Sequence, residues 1–176
     1  MPVFPILLLL VALQRVAELI YARRNEGRLR QRGGVEVGAA HYPLFILLHG
    51  SWLIVLALAV PWDAPVSWPL IAAFLVLQAG RVWVIASLGP YWTTRIITVP
   101  GAPLVRSGPY RWLKHPNYLV VALEIPLLPL VAGQVWLAVG FGLANLALLA
   151  WRIRVENGAL ADRPASRRSQ AHRGST

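Results

Sequence analysis

Residues 106–124 read RSGPYRWLKHPNYLVVALE. Arg106, Arg111, Lys114 and His115 stand beside Tyr110 and Tyr118, and the chain then runs through His115-Pro116 into an apolar stretch that carries Glu124. Ser107-Gly108-Pro109-Tyr110 has the composition of a turn, because Gly-Pro breaks a helix. Arg111 to Lys114 fit a short interfacial helix that His115-Pro116 ends. Pro116 has no N–H to lose and suits the first turn of the next helix, which predicts free backbone amides near His115, Asn117 and Tyr118. Such a helix start favours a negative ligand group, for example a carboxylate. Farther along, Arg152 and Glu156 are spaced i, i+4 and share a helix face. A cation and an anion side by side suit a zwitterionic amino-acid moiety, or each other.

The elements that must position these groups are long apolar runs. The chain has 176 residues, 57% of them hydrophobic, with a mean hydropathy of +0.56. Soluble domains are about 45–50% apolar, so the fold class read here is an all-α, multi-pass membrane bundle. A spanning helix needs about 20 apolar residues, and five candidate spans lie at 3–22, 42–60, 67–87, 117–132 and 134–151. The last two are short and separated only by Ala132-Gly133-Gln134, which predicts a tight helical hairpin. Residues 1–161 form the membrane domain. The tail 162–176, DRPASRRSQAHRGST, lacks apolar periodicity and reads as disordered and basic. Cysteine is absent, which excludes disulfides, thiolate metal sites and cysteine nucleophiles. There is no C-terminal prenylation box and no cleavable signal peptide pattern.

The net charge is +10, but the basic residues alternate with apolar spans, which is the footprint of topology rather than of a nucleic-acid-binding face. Arg23, Arg24, Arg28, Arg30 and Arg32 follow the first span; Arg95, Arg106, Arg111 and Lys114 follow the third; six arginines lie from Arg152 onward. The loop PWDAPVSW and the hairpin tip carry none. The positive-inside rule therefore puts the N-terminus outside and the three basic segments in the cytoplasm.

Charged groups inside spans are costly and are functional candidates. Arg15, His49, Arg81, Glu124 and Asn145 all fall about seven residues in from the cytoplasmic helix ends, or roughly 10 Å. Glu18, Gln14 and Gln78 accompany them. Two readings stand: ion pairs Arg81–Glu124 and Arg15–Glu18 that fix the bundle, or the floor of a polar pocket open to the cytoplasm.

GPYRWLKHPNYL followed by RIRVENGAL resembles the isoprenylcysteine carboxyl methyltransferase family, in its small prokaryotic branch. QRVAELIYARRNEGRLRQRGGVE, HYPLFILLHG and YWTTRIITVPGAPLV resemble it too, so the likeness covers about Gln14 to Leu160. The resemblance implies an integral-membrane methyltransferase that uses S-adenosylmethionine in a cytoplasmic pocket. By the family's motif, His115, Pro116, Asn117, Tyr118 and Glu156 contact the cofactor, together with the stretch Ala102 to Val105, which includes Leu104. Tyr110 and Arg152 belong to the substrate side. The family often has two adjacent acids on the last helix; this chain has Glu156-Asn157, so the cationic end of the cofactor rests on Glu156 alone.

The implied acceptor is lipid-borne, either a prenylcysteine-type carboxylate or a long-chain lipid hydroxyl. A carboxylate is already ionised at pH 7 and needs holding, which Arg152 can do through two parallel hydrogen bonds. A hydroxyl would benefit from a base, and His115, Tyr110 or Glu124 are the candidates. Two other classes compete. A nicotinamide-dependent reductase lacks its glycine-rich phosphate fingerprint, and a non-enzymatic proton relay or assembly factor would use the Arg/Glu/His layer. Scattered histidines without ligand spacing predict no metal site. His41 and Tyr42 read as interfacial residues, and Trp92, close to the cluster, as an interfacial anchor or a residue that touches a ligand.

Overall fold

A computed structural model describes residues 2–102 and 105–161, with side chains to residue 158. Five helices carry the fold: α1 (Val3–Gln31), α2 (Tyr42–Ala59), α3 (Trp68–Leu88), α4 (Pro116–Val131) and α5 (Val135–Ala161). Four of them are long and apolar enough to cross a membrane, and α4 is a shorter apolar helix. At 1.5 Å per residue α4 spans about 24 Å, less than a hydrocarbon core of about 30 Å. The bundle is thus the expected all-α one. The basic tail predicted for 162–176 lies outside the described residues.

Two helices run well past their predicted spans. α1 continues nine residues beyond residue 22 through RRNEGRLRQ, and Ala22, Asn25 and Leu29 are buried on one stripe at the i, i+3, i+7 spacing of an amphipathic helix. α5 continues ten residues beyond residue 151 and so carries Arg152 and Glu156 clear of the apolar segment. A feature absent from the expected architecture is a two-stranded antiparallel sheet, β1 (Val35–Val37) with β2 (Ile96–Thr98), in the register Val35↔Thr98. Strands this short carry too little period-2 pattern to be read from sequence. The turn from β1 into α2 passes through Gly38 at φ +66°, where a Cβ would meet Val155 Cγ1 at 2.5 Å. Only glycine supplies both that dihedral and that closeness to α5.

The apolar core joins Phe4, Leu7 and Val11 of α1 to Trp52 and Leu56 of α2, Phe74 of α3, and Ile125 and Leu128 of α4. α4 and α5 form the expected hairpin, with Gly133 turning at φ +69° and Gln134 N donating to Pro129 O at 3.0 Å. Proline inside α4 has a definite cost. Pro129 has no N–H, so the carbonyl of Ile125 loses its helical donor. Trp52 Nε1 donates to that carbonyl at 3.1 Å, from a side chain that is fully buried. Trp52→Phe keeps the ring and orphans the carbonyl. We expect it to lower the unfolding free energy by about 1–3 kcal/mol, read as a fall in the thermal midpoint of purified protein; an unchanged midpoint would refute this role of the indole.

Inside the bundle, Arg15, Glu18, Arg81 and Glu124 close into a ring. Arg15 Nη1 lies 2.6 Å from Glu18, Arg81 Nη1 3.2 Å from Glu124, and Arg81 Nη2 2.6 Å from Glu18, while Arg15 Nη2 meets Glu124. Both expected pairs are present, and two cross-pairs join them. Gln14 bridges Glu18 and Gln78, and Gln78 donates to Glu124, each at 3.0 Å. The four charges cancel, and the ring ties α1 to α3 and α4. His49 and Asn145 share its depth but not its bonds: His49 Nδ1 bonds Phe45 O at 2.9 Å and Asn145 Nδ2 donates to Val121 O at 3.3 Å.

Candidate functional site

The C-terminal end of α3, the start of α4 and the outer part of α5 border a cavity of about 640 Å³. Its approach is built by the segment between α3 and α4. Gly108 begins a 3-10 turn there at φ +55°, and a Cβ would strike Ser87 Oγ at 2.0 Å, so the GPYR turn seats directly on the end of α3. Two devices on the α1 side hold the same segment. Asn25 Nδ2 donates to the carbonyls of Gly89 and Trp92 at 3.0 and 2.9 Å. Glu36 accepts from Arg95 at 2.5 Å and from Arg30 at 2.6 Å across the β1–β2 pair. Burial disfavours the Glu36 carboxylate, but its guanidinium partners outweigh that and hold its pKa below the ordinary value.

Within the cavity, α4 and α5 present facing groups. Arg152 is 8% exposed; its Nε donates to Tyr118 OH at 2.8 Å and its Nη2 to Thr94 O at 2.9 Å. Tyr118 OH donates in turn to Glu156 Oε2. Arg152 and Glu156 therefore do not pair directly; a phenol stands between them. His115 stacks on Tyr118, with ring centroids 5.2 Å apart. Its Nε2 donates to Asn157 Oδ1 at 3.1 Å and its Nδ1 lies 3.9 Å from Glu156 Oε1. Asn157, which carries no charge, thus fixes the imidazole.

Of the predicted site residues, Ala102, Val105, Tyr110, His115, Asn117, Tyr118, Arg152 and Glu156 all line this cavity. Leu104 lies outside the described residues. Pro116 is buried as the first residue of α4 and lines neither cavity described here. The amides expected to be free at the start of α4 are partly spent, since Tyr118 N donates to His115 O at 3.1 Å. Among the candidate bases, burial and then the Glu156 carboxylate push the Tyr110 phenol above its ordinary pKa, which makes it a neutral hydroxyl. Glu124 is held in the charge ring and lines neither cavity. Sequence reasoning did not reach Thr93, Thr94 or the sheet residues at the rim. Three residues of strand leave no alternation that could have pointed to them. The residues read as interfacial do not present their rings outward: Trp92 is 4% and His41 2% exposed, the first packed with Ala22, Val84 and Val120 and lining both cavities described here, the second against the rings of Phe45 and Trp151.

A second cavity of about 360 Å³ opens between α1 and α2, lined mostly by apolar side chains such as Val16, Leu19, Ile46 and Leu53. Its rim residues Val16 and Ile46 face outward from the bundle. The two cavities share Trp92, Thr93, Asn117, Tyr118 and Arg152. A polar chamber at the basic end and an apolar cleft in the membrane thus meet at a waist of five residues. That arrangement lets a water-soluble molecule and a lipid approach one another without either leaving its own solvent.

The profile of the isoprenylcysteine carboxyl methyltransferase (ICMT) family matches residues 70–162, more than half of the chain. The uncharacterized protein YpbQ of Bacillus subtilis (strain 168) is 42% identical over 163 residues, which cover 90% of this chain and 97% of its own. No solved structure matches. The matched region contains the shared waist and both of its helices, and the chain belongs to the isoprenylcysteine carboxyl methyltransferase family of membrane methyltransferases.

Proposed function

We propose that the larger cavity binds S-adenosylmethionine and that the α1–α2 cleft admits a lipid-borne methyl acceptor from the bilayer. The observation that carries this reading is the shared waist, where Arg152 and Tyr118 belong to both cavities. The residues present fit the cofactor. The Glu156 carboxylate suits its cationic end, and the buried Asn117 Oδ1 has no hydrogen-bond partner among the described residues, so it is available to one. When bound, the cofactor supplies an electrophilic methyl group on a sulfonium.

The chain's own residues then have separable tasks. His115 and Tyr118 hold Glu156 in place through the stack and the phenol hydrogen bond. Arg152 is fixed by Tyr118 and the Thr94 carbonyl, and its positive charge faces the waist, where it can hold a carboxylate acceptor. The apolar walls of the cleft exclude water, and alignment with desolvation supplies most of the acceleration in a methyl displacement. A lipid hydroxyl is the second acceptor consistent with the family. Alkali separates the two on labelled product: an ester methyl is released and an ether methyl is kept. The gathering of the basic segments at the cavity end of the bundle, with the positive-inside rule, supports an orientation with the cavity facing the cytoplasm.

Calorimetric titration of detergent-purified protein with S-adenosylmethionine tests the reading. We expect micromolar binding, weakened at least about tenfold in Glu156→Ala, or about 1.4 kcal/mol. Folded protein that takes up no cofactor would sink it.

A further inference from the structure

His49 is a buried-side imidazole that the proposed chemistry does not use. It lines the α1–α2 cleft. Its Nδ1 lies 2.9 Å from the Phe45 carbonyl; a carbonyl only accepts, so the proton sits on Nδ1. In the neutral ring Nε2 is then a lone pair, and no side chain or backbone group among the described residues hydrogen-bonds to it. The ring is tied to the waist through Phe45, whose centroid is 6.2 Å from that of His49 and 5.4 Å from the Arg152 guanidinium carbon. His49 therefore stands one helical turn of α2 deeper in the cleft than the contact with Arg152.

An independent observation concerns the other polar groups of the same cleft. Six buried side-chain polar atoms lack a partner among the described residues; apart from Asn117 Oδ1, assigned above to the cofactor, two of them, Arg15 Nε and Trp92 Nε1, belong to residues that line it. Buried polar groups are ordinarily satisfied. Both are N–H donors, which a hydrocarbon chain leaves unmet and a hydroxyl oxygen can accept from. The surrounding charges narrow the head's chemistry. Arg15, Arg81 and Arg152 line the cleft against one carboxylate, Glu18, a net positive lining that disfavours an ammonium, and the Nε2 lone pair repels a carboxylate oxygen. What Nε2 takes is a neutral O–H or N–H.

We propose that His49 reads the polar head of the acceptor, its Nε2 accepting a hydrogen bond from a hydroxyl or N–H on a long-chain lipid lodged between α1 and α2. The proposal rests on the reading of this cleft as the acceptor site and, of the two acceptors named above, selects the lipid hydroxyl over the carboxylate; it makes His49 a specificity-determining residue on an element that the family profile does not cover.

The test is competition against radiolabelled 4-dodecylphenol on the full chain in nanodiscs, with unlabelled 4-dodecylphenol and 4-dodecylanisole as competitors. The two share ring and tail and differ in one hydrogen-bond donor. The expected result is about a tenfold preference for the phenol in the wild type, or about 1.4 kcal/mol, and equal affinity for both in His49→Phe, which keeps a planar ring of similar size. Should that variant not elute as a single folded species, His49→Leu reads the same preference. A phenol preference that survives the substitution overturns the proposal, as does a wild type that binds both probes alike or neither. S-adenosylmethionine binding in the same samples reports separately on the larger cavity, so a failure there leaves the His49 result to be judged by itself.

Discussion

Glu124→Ala lowers the unfolding free energy by about 3–5 kcal/mol, the cost of stranding a buried charge. The carboxylate is 2% exposed and accepts from Arg15, Arg81 and Gln78. Without it, two guanidinium groups inside the bundle face the single carboxylate of Glu18. The imbalance, rather than the lost contacts, sets the size of the effect. A second substitution checks that reasoning. Removing Arg15 as well restores a neutral pair, Arg81 with Glu18, so Glu124→Ala/Arg15→Ala recovers part of the lost midpoint and the two changes are strongly coupled. Thermal unfolding in nanodiscs measures both. Additive losses would mean that the ring's charge balance is not what stabilises the bundle.

Arg152→Ala lowers methyl transfer by about a hundredfold, the scale of a misplaced reacting group. The guanidinium makes two directed hydrogen bonds, to Tyr118 and Thr94, and lies 5.4 Å over the Phe45 ring. It thereby joins α5 to α4, to the segment before β2 and to α2 at one point. A lysine cannot reproduce that fork, so Arg152→Lys recovers little. The measurement is transfer of labelled methyl from S-adenosylmethionine into a membrane lipid extract. On the proposal that Arg152 serves the acceptor, the loss falls on acceptor saturation and turnover while cofactor affinity changes little. Undiminished transfer by Arg152→Ala would remove the residue from the site.

The bundle was legible because its signals are long. Four apolar runs of membrane length and a hairpin marked by Gly133 leave few alternatives. The intramembrane ion pairs were legible in kind, since charge in lipid must find charge, but not in number. Nothing local says that Arg81 reaches α1 as well as α4, because that depends on helix rotation. At the site, the i, i+4 spacing of Arg152 and Glu156 rightly put them on one face and wrongly implied that they touch. Tyr118 comes between them from a different helix, a fact that only tertiary packing fixes. The same holds for Asn25, an ordinary polar residue in a basic run, whose buried amide clasps the loop at Trp92. Trp92 itself was misread because tryptophan belongs to membrane interfaces on average, whereas here the extension of α1 covers it.

The charge ring also bears on the order in which the protein is made. Arg15 and Glu18 sit one turn apart on α1, while the groups that complete the ring, Arg81 and Glu124, lie on α3 and α4 and are synthesised later. During translation α1 therefore enters the bilayer with its arginine satisfied by one neighbour within its own helix. An arginine within a span costs up to about 2.5–3.5 kcal/mol on the insertion scale, the value at the helix centre, which the apolar half of α1 and that internal pair must offset. When α3 and α4 arrive, their paired charges have a waiting template, and the helix that inserted earliest of the three becomes the one against which the others are registered.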